Sequence, residues 1–427
     1  MILRTRAEFE AHRRSGAPFA GVEIEGVDLA DLAANGADFS ESVWRACSLV
    51  GARLRGAQLR GAKLGGLDFR GADLTSADLS GSVLARATFE HAELSRANLS
   101  SSNLEDASLS FALLTDAILR GASLARASFA GAVMARAVLA GAHFSLQDLS
   151  ALDLNGADLS AARLDQCALA RTDLGGANLR GAELEGCVLE GTNLERADLS
   201  GAVFRGSTLF LTRLVGANLD GADLRESRLE RVNLSHADLR RTSLRGAPIV
   251  QSLLEGVKAA GVDWTACDLT NSMLLDANLD GARLEGAIAV QTSFERASLR
   301  GAKLPRLSGA RANLSEAKLD EADLRDATFD DASFDAASLR KARADKARFS
   351  TARFRRADLS GAALGGADLS WTDLSWARLD ASDLQGANLE GANLHRTSRE
   401  GAAMKGARLA GVRETDPERA RAEDFAR

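Results

Sequence analysis

A chain of 427 residues has room for two or three globular domains, yet no compositional boundary divides it. Ala, Leu, Arg, Asp, Gly and Ser recur evenly from about residue 17 to 412, Tyr is absent and Pro occurs four times, which marks a repeat array. The formal net charge of -6, from 53 basic and 59 acidic residues, is mildly acidic and locally mixed, so neither a nucleic-acid-binding face nor an acidic tail follows from it.

The stretch Met1 to Glu10 holds no apolar run long enough for a signal-peptide core, and nothing further along approaches a membrane span. A cytoplasmic protein with no membrane span is expected; secretion by a route that uses no cleavable signal stays open. Thr5-Arg6-Ala7-Glu8 is a capping box that predicts a short amphipathic helix to Arg14, stopped by Gly16, and hence an N-terminal helical cap over residues 1–16.

From residue 17 to 412 the chain keeps a five-residue period. Every position ending in 4 or 9 from Phe19 to Leu409 is Leu, Ile, Phe, Met or Trp, except Ala34, Ala259, Ala289, Gly309, Ala344 and Arg399. Two residues earlier stands a small side chain, usually Ala, and the other three positions are mostly polar or Gly. Neither a helix nor a strand can hold a period of five on one face, but a coil that turns a corner every five residues can. Asp, Asn and Gly would serve the corners.

Four such units would close a square coil, stacking residues twenty apart about 4.8 Å from one another. The sequence supports that register. Phenylalanines repeat at Phe19/Phe39, Phe69/Phe89, Phe329/Phe349 and Phe334/Phe354, and Thr172, Thr192 and Thr212 form a column. Opposite charges face each other at Asp320/Arg340, Glu321/Lys341, Asp323/Arg343, Arg325/Asp345, Asp326/Lys346 and Asp335/Arg355. Two stretches depart from the pattern. Residues 248–264 read as a distorted coil in which Gln251 to Ala259 has local helical character, and Pro305 to Arg311 reads as a weak coil. Asp416-Pro417-Glu418 then places an N-cap and a first-turn proline before a C-terminal helix or tail over 413–427.

The units Ala157-Asp158-Leu159-Ser160 and Ala177-Asn178-Leu179-Arg180-Gly181 display an A(D/N)LxG signature that resembles the pentapeptide-repeat family. The resemblance implies an all-β fold, a right-handed quadrilateral β-helix, and its handedness comes from the resemblance alone. It would be a pentapeptide-repeat solenoid of about 20 coils with short helical caps, on the order of 95 Å long at strand spacing.

Chemistry is sparse. Cys47, Cys167, Cys187 and Cys267 all take the small inward position of one column, where a free cysteine is ordinary core filling. His12, His91, His143, His236 and His395 fall in five different columns, so neither a metal set nor a Ser–His–Asp grouping is expected. No enzyme activity and no cofactor are anticipated.

Three surface features stand out. An outward apolar stripe comprises Val188, Phe210, Leu211, Val215, Val250, Leu253, Met273, Leu275, Ile288 and Val290, and suits a protein partner or self-association. Trp371 and Trp376 sit at outward positions, as binding anchors do. A basic belt, Arg340, Lys341, Arg343, Lys346, Arg348, Arg353, Arg355 and Arg356, is read as one side of the charge ladder.

The leading expectation is a non-catalytic protein-interaction scaffold. Resemblance to long family members adds an association with bacterial secretion machinery such as type VI systems. The competing expectation, from resemblance to quinolone-resistance members, is DNA mimicry that protects gyrase or topoisomerase; the balanced charge and the basic belt count against it. Direct nucleic-acid binding is not expected.

Overall fold

The computed structural model describes residues 1–425 and divides into two compact units, Met1–Arg213 and Leu214–Arg427. The first contains β1 (Ile2–Leu3), α1 (Arg6–Ser15), β2 (Glu23–Glu25), β3 (Val43–Arg45) and β4 (Thr208–Phe210). β1, β2 and β3 pair in parallel, with Ile24 opposite both Leu3 and Trp44. Elsewhere the wall consists of single parallel bridges in a twenty-residue register, such as Asp28 with Ser48, Ser48 with Asp68 and Asp68 with Thr88. The second unit contains β5 (Arg228–Glu230), β6 (Ile249–Val250) and α2 (Pro417–Phe425). β5 and β6 are parallel, and the same bridges recur, as in Asp323 with Arg343 and Arg343 with Ala363.

The five-residue unit succeeds because it satisfies its own backbone, as residues 72–76 show. The Ala72 N–H closes a local turn on Phe69 O at 3.0 Å, and the Asp73 N–H donates back one coil to Ala52 O at 2.9 Å. Leu74 and Ser76 donate forward to Glu93 O and Ser95 O, at 2.8 and 2.9 Å. The remaining donor, Thr75 N–H, goes to Asp73 Oδ1 at 3.0 Å. A carboxylate or amide just before the central Leu therefore completes the set, which is why Asp and Asn recur there.

The corner residue, two after the central one, takes left-handed backbone. Gly71 is there at φ 63°, but so are Ser76 at 58° and Arg86 at 61°. A side chain in this region costs on the order of 1 kcal/mol, which the forward N–H bond helps to offset.

Inside, the small and large residues of each unit are both shielded: Ala72 and Leu74 are fully buried. The expected phenylalanine columns form, with Phe69 and Phe89 stacked at 4.9 Å and Phe334 and Phe354 at 4.7 Å. Phe19 and Phe39 meet edge-on instead, at 69°. There α1 inserts Phe9, fully buried, with ring centroids 5.4 Å from Phe19 and 5.9 Å from both Phe39 and Trp44. The capping box is formed, Thr5 Oγ1 accepting from Glu8 N–H at 3.2 Å, and Gly16 ends the helix at φ 70°. At α2, Asp416 Oδ1 accepts the N–H groups of Glu418 and Arg419 at 2.9 and 3.2 Å.

Neither irregular stretch is distorted as expected. Residues 251–259 form no helix; Leu254 and Ala259 donate to Met273 O and Asn278 O at 2.7 and 2.9 Å. Leu254, Val257 and Ala259 are fully buried, so five-residue burial outweighs local helical preference. Leu307, Gly309 and Arg311 likewise keep their backbone bonds, at 3.1, 2.7 and 2.9 Å.

The charge ladder forms on different rungs. Among the expected pairs, Asp323 and Arg343 meet at 3.9 Å. Asp320 and Asp335 instead accept the backbone N–H groups of Arg340 and Arg355, at 3.2 and 3.0 Å. The guanidinium groups turn diagonally to the next coil, Arg340 to Asp358 at 2.7 Å and Arg355 to Asp373 at 2.6 Å. Arg348 and Arg353 reach Asp330 and Asp335 at 2.8 and 3.3 Å, and Arg325 folds onto Asp323 at 2.6 Å. An arginine is long enough to span this diagonal and to choose the carboxylate fixed by a turn.

Candidate protein-interaction surfaces

With residues ending in 2, 4, 7 and 9 turned inward, side chains ending in 3 and 8 line the outer faces, and an apolar residue there has no core to enter. In the first unit Val188 and Leu211 stand nearly half exposed, with Phe210 on β4 partly covered. In the second, Leu253 bridges to Met273, and Ile288 bridges to Asp268 on the adjoining face. Leu253, Met273 and Ile288 are 42–44% exposed, while Val250, Leu275 and Val290 are half-buried. Between the two faces runs a corner of neutral residues in left-handed backbone, Gln251, Asn271 and Gln291. The second unit thus presents an apolar strip around an uncharged edge, in a chain where a quarter of residues carry charge.

The two tryptophans differ. Trp371 is 63% exposed, and its ring lies over Gly391, where an added Cβ would fall 2.5 Å from Cε3. Trp376 is half-buried with the Arg396 guanidinium 4.6 Å above its ring. Arg396 is held from the other side by Glu423 at 3.2 Å and Asp424 at 2.7 Å on α2, and His395 meets Glu423 at 3.0 Å.

A second apolar group in the first unit was not singled out from the sequence. Phe111, Leu113 and Ile118 are exposed, and Leu113 and Ile118 bridge to Val133 and Val138. His91 stacks on Phe111 at 5.1 Å with the rings nearly parallel. The available signal was a large apolar residue just before the central Leu in consecutive units, at Leu113 and Ile118 and again at Val133 and Val138.

All four cysteines are buried and free. Cys167, Cys187 and Cys267 direct their thiols at the carbonyls of Phe144, Leu164 and Leu244, at 3.1, 2.9 and 2.7 Å. Burial pushes them up to about 11, 12 and 12, far from nucleophilic at neutral pH. Among the described residues no group of His, Cys, Asp and Glu could hold a metal ion. Among the described residues no helix is long and apolar enough to cross a membrane.

A family model for pentapeptide repeats matches successive, partly overlapping segments from 23–66 to 372–411. The chain belongs to the pentapeptide-repeat family. Members of this family form right-handed quadrilateral β-helices, and the parallel twenty-residue register agrees with that fold. Among solved structures, a pentapeptide-repeat protein from the Arabidopsis thaliana thylakoid lumen is 36% identical over 23% of this chain and 69% of its own, with a TM-score of 0.22. HetL from the cyanobacterium Nostoc sp. strain PCC 7120, a pentapeptide-repeat protein involved in heterocyst differentiation regulation, is 26% identical over 65% and 89%, with a TM-score of 0.15. The plasmid-mediated fluoroquinolone resistance protein QnrB1 is 17% identical over 63% and 96%, with a TM-score of 0.16. No curated protein matches this pentapeptide-repeat chain.

Proposed function

We propose that this pentapeptide-repeat protein is a non-catalytic interaction scaffold whose working surface is the apolar stripe of Val188, Phe210 and Leu211 in the first unit and Val250, Leu253, Met273, Leu275, Ile288 and Val290 in the second. Trp371 is offered as a separate anchor, and Trp376 as part of the region beside α2. The observation that carries this reading is the exposure of Leu253, Met273 and Ile288 around an uncharged edge. With less than half of each side chain left to cover, each stabilises a contact by roughly 1 kcal/mol, and none is needed to fill the core.

In this reading residues 17–412 form one repeat array of about 20 coils, the segment 1–16 with α1 and the segment that carries α2 act as caps, and the protein works in the cytoplasm. Phe9 against Phe19, Phe39 and Trp44 supports the first cap, and the ion pairs of Glu423 and Asp424 support the second. DNA mimicry is the weaker reading. It needs a continuous acidic surface, whereas Arg340, Arg348, Arg353 and Arg355 each pair with a carboxylate and leave mixed charge.

The test combines affinity capture from the source cell with size-exclusion chromatography, comparing the natural protein with the Phe210→Glu/Ile288→Glu variant. An unchanged circular-dichroism spectrum with loss of captured partners or of self-association supports the stripe. Retention of every partner and of the same hydrodynamic size refutes it, and recovery of gyrase or topoisomerase subunits by both proteins would favour mimicry.

A further inference from the structure

In the second unit a cleft of about 900 Å³ opens between α2 and the coils beneath it. It is lined by Arg355, Arg356, Asp373, Trp376, Asn393 and Arg413, with Arg419 and Glu423 of α2 as its far wall. Most of its charges are mutually satisfied. Arg355 and Asp373 pair at 2.6 Å, and Asp373 also accepts from Asn393 Nδ2 at 2.9 Å. On α2, Glu423 takes Arg419 at 2.9 Å as well as His395 and Arg396.

Two cations are left over. Arg356 and Arg413 line the cleft, and neither is among the ion pairs of the described residues, unlike Arg355 and Arg419. Arg356 occupies the corner column that continues with Trp376, whereas Arg413 lies two bridges beyond Asp373 by way of Asn393. Their backbones stand just under three coils apart, or about 14 Å at strand spacing. An extended peptide advancing about 3.3 Å per residue reaches from one to the other in roughly four residues. Trp376, between them in the chain's register, offers an aromatic surface to a side chain in the middle of that segment.

We propose that this cleft binds an extended acidic peptide segment of a protein partner, with two carboxylates about four residues apart on Arg356 and Arg413 and an apolar residue between them against Trp376. The site is separate from the apolar stripe, so the two can hold different parts of one partner or two partners. Opposite charge across the contact favours an acidic segment over a neutral or basic one.

The probe is a fluorescein-labelled peptide of sequence Glu-Ala-Leu-Ala-Glu, blocked at both ends, titrated with the full chain and followed by fluorescence anisotropy. The expected results are saturable binding, at least a tenfold loss when both Glu are replaced by Gln, and roughly tenfold weaker binding by Arg356→Gln/Arg413→Gln. Lys341→Gln/Lys346→Gln, which removes the same charge outside the cleft, should bind as the natural protein does. So should Ile288→Glu, which alters only the stripe. Circular dichroism of each variant controls for folding. Absence of binding, equal affinity for the Glu and Gln peptides, or an equal loss in the lysine variant would overturn the proposal. Tighter binding of a labelled oligonucleotide at the same two arginines would overturn it in favour of a phosphate ligand.

Discussion

Phe329 fills the space that Gly309 leaves open. A Cβ added to Gly309 would lie 2.5 Å from Phe329 Cε1 and 3.0 Å from Leu307 Cδ2, although Gly309 occupies a position that elsewhere holds a large apolar residue. The ring of Phe329, fully buried, therefore packs partly for its neighbour one coil away, and the backbone needs no adjustment. Gly309→Leu, which looks like a repair of the repeat, should instead destabilise the second unit by about 1–3 kcal/mol through overpacking. Adding Phe329→Leu should recover much of that loss. Denaturant melts of the two single variants and the double variant form the cycle that measures the coupling, and simple additivity would show that the two residues do not share the space.

The wall of the first unit is open where Gln147 enters the core. This residue stands in the small inward position, only 7% exposed; its Nε2 donates to Leu124 O and its Oε1 has no partner. One coil earlier the ladder is complete, Leu104 and Asp106 donating to Ser123 O and Ala125 O at 2.8 and 3.0 Å. Next to Gln147 the corresponding N–H groups of Arg126, Phe129 and Gly131 find no backbone acceptor among the described residues, although the Ser123–His143 bridge persists. Those three amides should exchange with deuterium at least ten times faster than Leu104 and Asp106. Gln147→Ala should slow them and raise the melting temperature, since a small residue lets the ladder close. Uniform protection along the wall would contradict the open seam.

The repeat was legible in the sequence because burial with a period of five leaves no alternative face, and each phenylalanine column reports its own register. What escaped depends on reach rather than on position. Arg340 chooses Asp358 over Asp320 because a long side chain can cross to the next coil while Asp320 is held by a backbone N–H. The cleft escaped because it depends on where α2 lands, and that is set by Arg396 and His395 meeting Glu423 across residues distant in sequence. The apolar strip was legible residue by residue, as outward Leu253, Met273 and Ile288. The group around Phe111 followed the same rule and was overlooked.

The carboxylates that close the backbone accounting should make the fold sensitive to acid. At Asp78 burial pushes the carboxyl up, but the Ser80 hydroxyl and N–H and the Arg60 guanidinium outweigh it and hold the group below its usual range. Asp358 behaves in the same way with Ser360 and Arg340. A folded value below the unfolded one means the unfolded chain binds more protons in this window, so the stabilisation is present above about pH 4 and is lost as pH falls through the folded value. The melting temperature should fall between about pH 5 and pH 3. Asp78→Asn keeps an acceptor for Ser80 N–H and should show less of that fall, whereas Asp78→Ala should cost about 1 kcal/mol at neutral pH. A flat profile across this range would mean the turns hold without the charge.

The thiols carry the opposite sign. Cys187 and Cys267 are pushed up to about 12 chiefly by burial, above the ordinary value near 8.5 that the unfolded chain adopts. Between those values the folded protein retains protons that the unfolded chain releases, so stability is complete below about pH 8.5 and declines as pH rises toward the folded value. Replacing both by Ala, the residue most often found at their position, should flatten the alkaline limb of the melting profile. In the natural protein a thiol reagent such as 5,5′-dithiobis(2-nitrobenzoic acid) should label none of the four cysteines at neutral pH and all four in denaturant. Rapid labelling of the native protein would show that the core opens far more readily than its hydrogen-bonded wall implies.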